Sequence, residues 1–483
     1  MWDPGRHVVM FPCCGMAKSF LPYQVDQHLL LPPDMRQWLP EEHLALFVLD
    51  VVLNLDLSAI YKAYDEKDDR GRAAYDPKMM VALLVYAYCV GKPSSRRIEK
   101  ATYEDVGFRV LSGDAHPDHA SIAEFRKRHL RALSGLFVQV LRLCQKAGLV
   151  KLGHVALDGT KIQANASKHK AMSYGRMRET ERKLEEEVAK LMAEAERVDA
   201  EEDARYGRGK RGDELPAELA RRESRLKKIR EAKAELEAEA KAEAEERAKE
   251  ARQRLVERAR KEEETGKKIG GRPPQVPVPE EAKPKDKAQR NFTDPDSRIM
   301  MDGATKAFVQ GYNAQIAVDS QAQIIVACAV TQAANDQRQL VPMGERIQTN
   351  VGTLPENLSA DAGYFSAEAV TSPVLTGVNL LVPPDRKKQS DPSRDDIGEC
   401  SEASSSPSEA EKMRQKLRTE AGHDLYRMRK AIVEPVFGQT KEARGFRRFL
   451  LRGVENVGCE FDLISLTHNL LKLFRASACV QPA

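Results

Sequence analysis

Tryptophan occurs only twice in 483 residues, and aromatic side chains together make up 6% of the chain. Cysteine is nearly as sparse. Eight in this length give no disulfide framework, and no two are separated by the two residues of a zinc knuckle. Structural zinc is therefore not expected, the adjacent Cys13 and Cys14 are read as incidental, and a reducing cytosol fits. Long apolar runs are missing as well. None approaches the ~18 residues of a membrane span, and the longest candidate, Leu44 to Leu55, is interrupted by Asp50. The first fifteen residues lack the basic, apolar and small-residue order of a signal peptide, so neither export nor a membrane location is expected. Nor does one sign of charge dominate: the net charge is +4. That is a weak argument for a polyanionic partner, and the distribution of charge says more than its sum.

What is abundant is charge of both signs, 31% of residues, with a mean hydropathy of −0.53. Residues 40–150 read as helices. Leu44, Val48, Val51, Val52 and Leu55 recur at helical spacing, as do Leu130, Leu133, Phe137, Val140 and Leu141. Basic clusters at Arg96, Arg97 and again from Arg126 to Arg131 suit contact with a DNA backbone. The period then changes. His154 to Leu157 is a short apolar run that delivers Asp158 at its end, and Ile162 and Ala164 are candidates to continue it. Residues 176–265 are alanine-rich and charged. A narrow seam through Leu184, Val188 and Leu191, then Leu226, Ile229 and Leu236, predicts two helices of an antiparallel coiled-coil hairpin around Gly207 to Pro216. Most of its alternating charges form a solvated face.

Residues 266–289 are rich in Pro, Gly and Lys and read as a flexible linker. Phe308 to Val318 and Ile324 to Val330 predict an antiparallel pair turning at Asp319-Ser320. Leu358 to Asp361 and Val378 to Val382 predict two further strands. Residues 385–411, rich in Ser and Pro, read as disordered, and residues 412–475 return to helix. His468, on the inner face of the last helix, is read as a core-edge histidine rather than a ligand.

Strands that end in acids, followed by a helix carrying another, are a way of holding divalent cations. Two hard cations need oxygen ligands, and they assist in-line displacement at phosphorus. Of 73 acidic residues, three stand in informative places. Asp158 and Asp361 each follow an apolar strand and precede Gly or Ala-Gly. Glu434 lies in Ala431-Ile432-Val433-Glu434-Pro435-Val436-Phe437-Gly438, surroundings that predict burial, where an ionised carboxylate needs a partner. Asp302, Asp319 and Asp336 compete less well, since they fall in polar loops or a hairpin turn.

Several stretches resemble DDE-type insertion-sequence transposases, the group numbered eleven eighty-two in particular, which is related to groups four and five. They are Phe20-Leu21-Pro22-Tyr23, Val155 to Lys161, Ala164 to Ser167, Gly311 to Gln315 with Ala317-Val318-Asp319, Ala360 to Phe365, and Val433 to Gly438. The resemblance runs from Met16 to Phe474. It leaves residues 1–15 outside as an extra tail, and Met16-Ala17-Lys18-Ser19-Phe20 looks like the usual start. It implies an α/β protein: an RNase H-like catalytic core in three pieces (151–175, 290–384 and 412–475), a helical N-terminal DNA-binding domain over 16–150, and the inserted coiled-coil hairpin. It further implies Asp158, Asp361 and Glu434 as the triad for two Mg²⁺ ions, with Mn²⁺ able to substitute. Tyr426, Arg429 and Lys441 match the basic signature around the glutamate. Related groups place the arginine where Lys430 stands, so the resemblance leaves two candidates for one DNA contact.

The reaction implied is hydrolysis of a phosphodiester at the element end, then attack of the freed 3′-hydroxyl on target DNA. Terminal inverted repeats and target DNA are the expected partners, a homodimer the expected active form, and the bacterial cytoplasm and nucleoid the expected location. Two rivals stand beside this reading: a catalytically inactive, transposase-derived DNA-binding protein, and an RNase H-like nuclease without strand transfer.

Overall fold

The computed structural model describes residues 34–65, 74–206, 217–266, 270–303, 306–385 and 407–478. Among the described residues seven α-helices come first, after a 3₁₀ turn (Met35–Trp38): α1 (Leu44–Leu53), α2 (Ser58–Asp65), α3 (Pro77–Cys89), α4 (Ser95–Glu104), α5 (Val106–Ser112), α6 (His119–Arg128) and α7 (Leu130–Lys146). Their starts follow from local chemistry. Asp76, Asp105 and Asp118 each accept a hydrogen bond from a free backbone N–H in the first turn of α3, α5 and α6, and Pro77 opens α3 where no N–H is needed. Among the described residues no single helix is long and apolar enough to cross a membrane. Leu44–Leu53 and Ser58–Tyr64 reach that length together but are bent by 72°. Their inward side chains Ala45, Val48, Val52 and Ile60 join the protein core.

The sheet begins with β1 (His154–Gln163), which is longer than the apolar run alone predicts. An excursion follows, made of β2 (Ala171–Ser173), α8 (Tyr174–Tyr206), α9 (Ala217–Thr265) and β3 (Gln289–Asn291). The chain then builds β4 (Arg298–Met301), β5 (Phe308–Asp319), β6 (Ile325–Thr331), α10 (Leu340–Val351), β7 (Asn357–Ser359), α11 (Ala367–Val370) and β8 (Asn379–Leu381). It closes with α12 (Glu409–Arg418), α13 (Glu420–Gly438), a π-helical turn (Gln439–Ala443) and α14 (Val454–Ala478).

The strand order is β4-β5-β1-β7-β8, with β6 on the same edge of β5 as β4. β5 lies antiparallel to β1 (Asp158 opposite Ile316), β6 lies antiparallel to β5, and β7 and β8 continue parallel to β1. β1 is thus central. That is why Val155, Ala156 and Leu157 are all fully buried rather than alternating. The β5–β6 pair and the short β7 and β8 agree with the sequence reading, as does the helical pair α8–α9.

One apolar cluster runs without a break from Ala45 in α1 through the sheet to Leu470 in α14. A separate, smaller cluster (Tyr174, Met177, Leu184, Leu226, Ile229, Ala232, Leu236) holds α8 against α9. Residues 207–216, where the hairpin was expected to turn, lie outside the described residues, as do 386–406 of the segment read as disordered. Residues 270–288 include a short 3₁₀ turn (Pro279–Glu281), and the carbonyls of Asp286 and Ala288 accept hydrogen bonds from Gly175 and Tyr174 at the start of α8. His468 is buried, and its Nε2 lies 2.9 Å from the Gln323 carbonyl. Burial pushes it down to about 3, so it stays neutral, as its place on the core edge suggests.

Candidate active site

Asp158 sits midway along β1, on the side facing α13. Its Oδ1 accepts from the Gly159 amide at 2.8 Å, and its Oδ2 accepts from Arg429 Nη1 at 3.0 Å. Burial pushes this carboxyl up to about 6, against the pull of the Arg429 guanidinium and the Gly159 amide. The Asp361 carboxylate adds to the upward push. Asp361 lies two residues past β7, at the cap of a 3₁₀ turn (Ala362–Tyr364), where it accepts from the Gly363 amide at 2.8 Å. The fold thus brings two of the three expected acids, 203 residues apart in sequence (361 − 158), into electrostatic contact.

Arg429 comes from α13 and is buried. Burial works against its charge, but Asp158, Tyr426 and Asp361 outweigh it and raise its pKa. Its guanidinium carbon lies 5.9 Å from the centre of the Tyr426 ring. Its Nε, also buried, finds no hydrogen-bond partner among the described residues. Lys430, the rival for this position, is exposed. The helical register separates them, because Gly422, Arg429, Ile432, Val433 and Val436 form the buried face and Lys430 falls outside it. Lys441, on the π-helical turn, reaches Thr160 Oγ1 at 2.6 Å and the Lys161 carbonyl at 2.9 Å, and burial lowers its pKa.

Proline inside α13 calls for an explanation. Pro435 has no N–H to give the carbonyl of Ala431, four residues back. Gln323 Nε2, from the turn between β5 and β6, donates to that carbonyl at 3.0 Å instead. The missing bond becomes a tie between α13 and the sheet.

Glu434 corrects one expectation. The apolar neighbours predicted burial, yet Glu434 is exposed. At 3.6 residues per turn it stands about 140° round the helix from Arg429, so Val433 and Val436 take the inward positions and the acid does not. Among the described residues no three His, Cys, Asp or Glu side chains are placed to hold a metal ion together. Arg96 and Arg97 are exposed on α4.

The sequence reading set aside Asp336 as a loop residue, and it gave no role to Asn313, Gln315 or Tyr364. Asp336 Oδ1 accepts from Asn313 Nδ2 and Gln315 Nε2, both at 2.6 Å, and lies 3.9 Å from Lys161 Nζ. The Tyr364 hydroxyl donates to Gln315 Oε1. Gln315 lies so close over Gly159 that a Cβ there would collide with its amide. Burial, then Asp336, Asp158 and Asp361, raise the Tyr364 phenol well above its ordinary value. This neutral-to-anionic network joins β1, β5, the segment before α10 and the Asp361 turn. Asn313, Gln315 and Tyr364 all stand inside stretches that carry the family resemblance, and that was the only available signal.

Comparison with known proteins gives two family matches. Residues 33–128 match the Transposase domain (DUF772), and residues 399–474 match the Transposase DDE domain. The first covers the chain from before α1 through α6; the second contains α12, α13 and most of α14, and with them Arg429, Glu434 and Lys441. No curated protein and no solved structure matches. Both matched families are transposase domains. Together the two matches support an insertion-sequence DDE transposase.

Proposed function

We propose that the chain cleaves and joins phosphodiester bonds at insertion-sequence ends by in-line displacement, with Asp158, Asp361 and Glu434 as ligands for two Mg²⁺ ions. The observation that carries the reading is the meeting of Asp158 and Asp361 beside Arg429, in a chain with a match to a DDE transposase domain. The two acids that meet, Asp158 and Asp361, fit such ions, while Glu434 stands exposed on α13 outside that pair. Carboxylate oxygens are hard ligands, and a buried aspartate whose ionisation is held up to about 6 gains from a nearby positive charge. When bound, the ions activate the attacking oxygen and stabilise the leaving one.

The sheet order supports an RNase H-like core. A three-stranded antiparallel meander (β1, β5, β6) is extended on the far side of β1 by two parallel strands, with acids on β1 and just past β7. Arg429, bonded to Asp158 and beside Asp361, would neutralise a phosphate near the scissile bond. Lys441 and Tyr426 flank it, and Lys430, Arg96 and Arg97 offer exposed backbone contacts. The same reading places the chain in group eleven eighty-two. It acts as a homodimer, because both element ends must be held at once, and on nucleoid DNA in the bacterial cytoplasm.

The test is an in vitro reaction with DNA carrying the flanks of the gene and Mg²⁺, comparing wild type with D158N, D361N and E434Q. Each variant should lose nicking and strand transfer by on the order of 10²–10³ or more while still binding DNA. An E434Q enzyme that cuts at the wild-type rate removes Glu434 from the set. A D158N enzyme that does so removes the mechanism.

A further inference from the structure

Cations follow β1 at intervals from the acids outward. Arg429 is on Asp158, Lys441 on Thr160 and the Lys161 carbonyl, and Arg448 on Gln163, whose Oε1 accepts from Arg448 Nη2 at 3.1 Å. At ~3.3 Å per strand residue these stations are about 7–10 Å apart. The row ends in a cleft of about 680 Å³ beyond the C-terminal end of β1. Lys168, His169, Lys170, Arg448 and Arg452 line it together with Phe308, and among the described lining residues none is Asp or Glu. Phe308 leaves 66% of its surface exposed, unusual for a ring with a whole core to join.

One wall of this cleft is fixed. The buried Glu460 carboxylate accepts from the Leu450 and Leu451 amides at 3.0 and 2.9 Å. Asn165 Nδ2 donates to the Leu450 carbonyl at 2.7 Å, and Arg452 Nε donates to the Asn165 carbonyl at 3.0 Å. Arg448 and Arg452 are therefore presented by an anchored backbone, and among the described residues they bond the Gln163 amide oxygen and the Asn165 carbonyl rather than a carboxylate.

We propose that this cleft binds the backbone of a DNA strand leaving the acidic site, with Phe308 as the platform on which one unpaired base of that strand stacks. The inference rests on the transposase reading and deepens it. A cleft lined by cations, without acids and with one exposed aromatic ring, has the chemistry of single-strand recognition: phosphates pair with the cations and a base face covers the ring. Five residues of β1 separate Asp158 from Gln163, about 17 Å, or roughly five base steps of a duplex. Phe308 lies three residues beyond Gly311, the β5 partner of Gln163, so the strand would reach it about 26 Å, roughly eight base steps, from the bond being cut.

The test is fluorescence anisotropy on the full chain with two labelled probes, a blunt 30-base-pair duplex and the same duplex with an eight-nucleotide single-stranded overhang, over a series of salt concentrations. Wild type should bind the overhang probe more tightly than the blunt one. Phe308→Ala should abolish that preference, a loss of about five-fold or more. Lys168→Gln combined with Lys170→Gln should flatten the dependence of log affinity on log salt by roughly 1.5. All three side chains are exposed, and circular dichroism would check that each variant is folded. Variants that keep the wild-type slope and the wild-type preference overturn the cleft proposal alone. A wild-type chain that binds neither probe overturns the DNA reading and the cleft with it.

Discussion

A carboxyl group that ionises near 3.8 in an unfolded chain and is held up to about 6 by burial is easier to fold with its proton on. For Asp158 this gives a definite sign. The favourable contribution is complete below about pH 4, falls as pH rises, and is lost once pH passes 6, amounting to on the order of 3 kcal/mol across that window. Thermal melts of the metal-free protein between pH 4 and 7 should show it: Asp158→Asn should follow a flatter stability profile than wild type. Parallel profiles would mean that burial places no load on this side chain. At the residue scale the sequence was legible where an acid ends an apolar strand, as at Asp158 and Asp361. It misled at Glu434, where apolar neighbours signalled a buried segment but not which face of the helix each residue takes. The ties of Asp336 to Asn313, Gln315 and Lys161 depend on the β1–β5 register and on where a loop returns. No local pattern encodes either.

Elements were easier to read than contacts, because periodicity is a property of one segment. The α8–α9 pair follows from its narrow apolar seam, and the β5–β6 pair from two apolar runs around Asp319. Asp319 itself is buried and accepts from the Leu152 and Gln321 amides at 2.7 and 2.8 Å, a turn-holding task rather than a chemical one. The length of β1 was harder. Gly159, Thr160 and Lys161 look like a turn, and they are strand because β5 pairs along them. The small cluster between α8 and α9 is separate from the main core, so the pair should loosen by itself. Ile229, which is buried there, gives the test. Ile229→Ala should cost about 2–4 kcal/mol locally. Hydrogen exchange should quicken across α8 and the facing part of α9 and stay unchanged in β1 and β5. Uniform quickening would show instead that the arm and the sheet open together.

Across the whole molecule, the N-terminal helices and the sheet share one core, so they should unfold as one unit although two separate family matches describe them. Gly91 lies on their seam. It turns the chain after α3 with φ +69°, and a Cβ there would stand 2.6 Å from the Arg444 carbonyl oxygen, which is backbone and cannot step aside. Gly91→Ala should therefore destabilise by about 2 kcal/mol. Its urea midpoint should fall equally when followed by tryptophan fluorescence, to which Trp38 contributes, and by far-ultraviolet dichroism. Midpoints that separate would reveal two independent units.

The excursion between β1 and β4 obeys a different logic. β2 and β3 pair with each other at its base, and the amide of Tyr174 bonds the carbonyl of Ala288, so the chain leaves and re-enters at nearly one point. Its longer helix, 49 residues, extends about 73 Å. The second half of α9 lies along the core, where Glu250 meets Arg338 and Arg254 meets Glu368. The rod formed by α8 and the first half of α9 is clipped at its root, and it can be shortened, lengthened or exchanged like a cassette without disturbing the register of the strands that bear the acids. The reach of the molecule is thus free to change over evolution while its chemistry stays fixed.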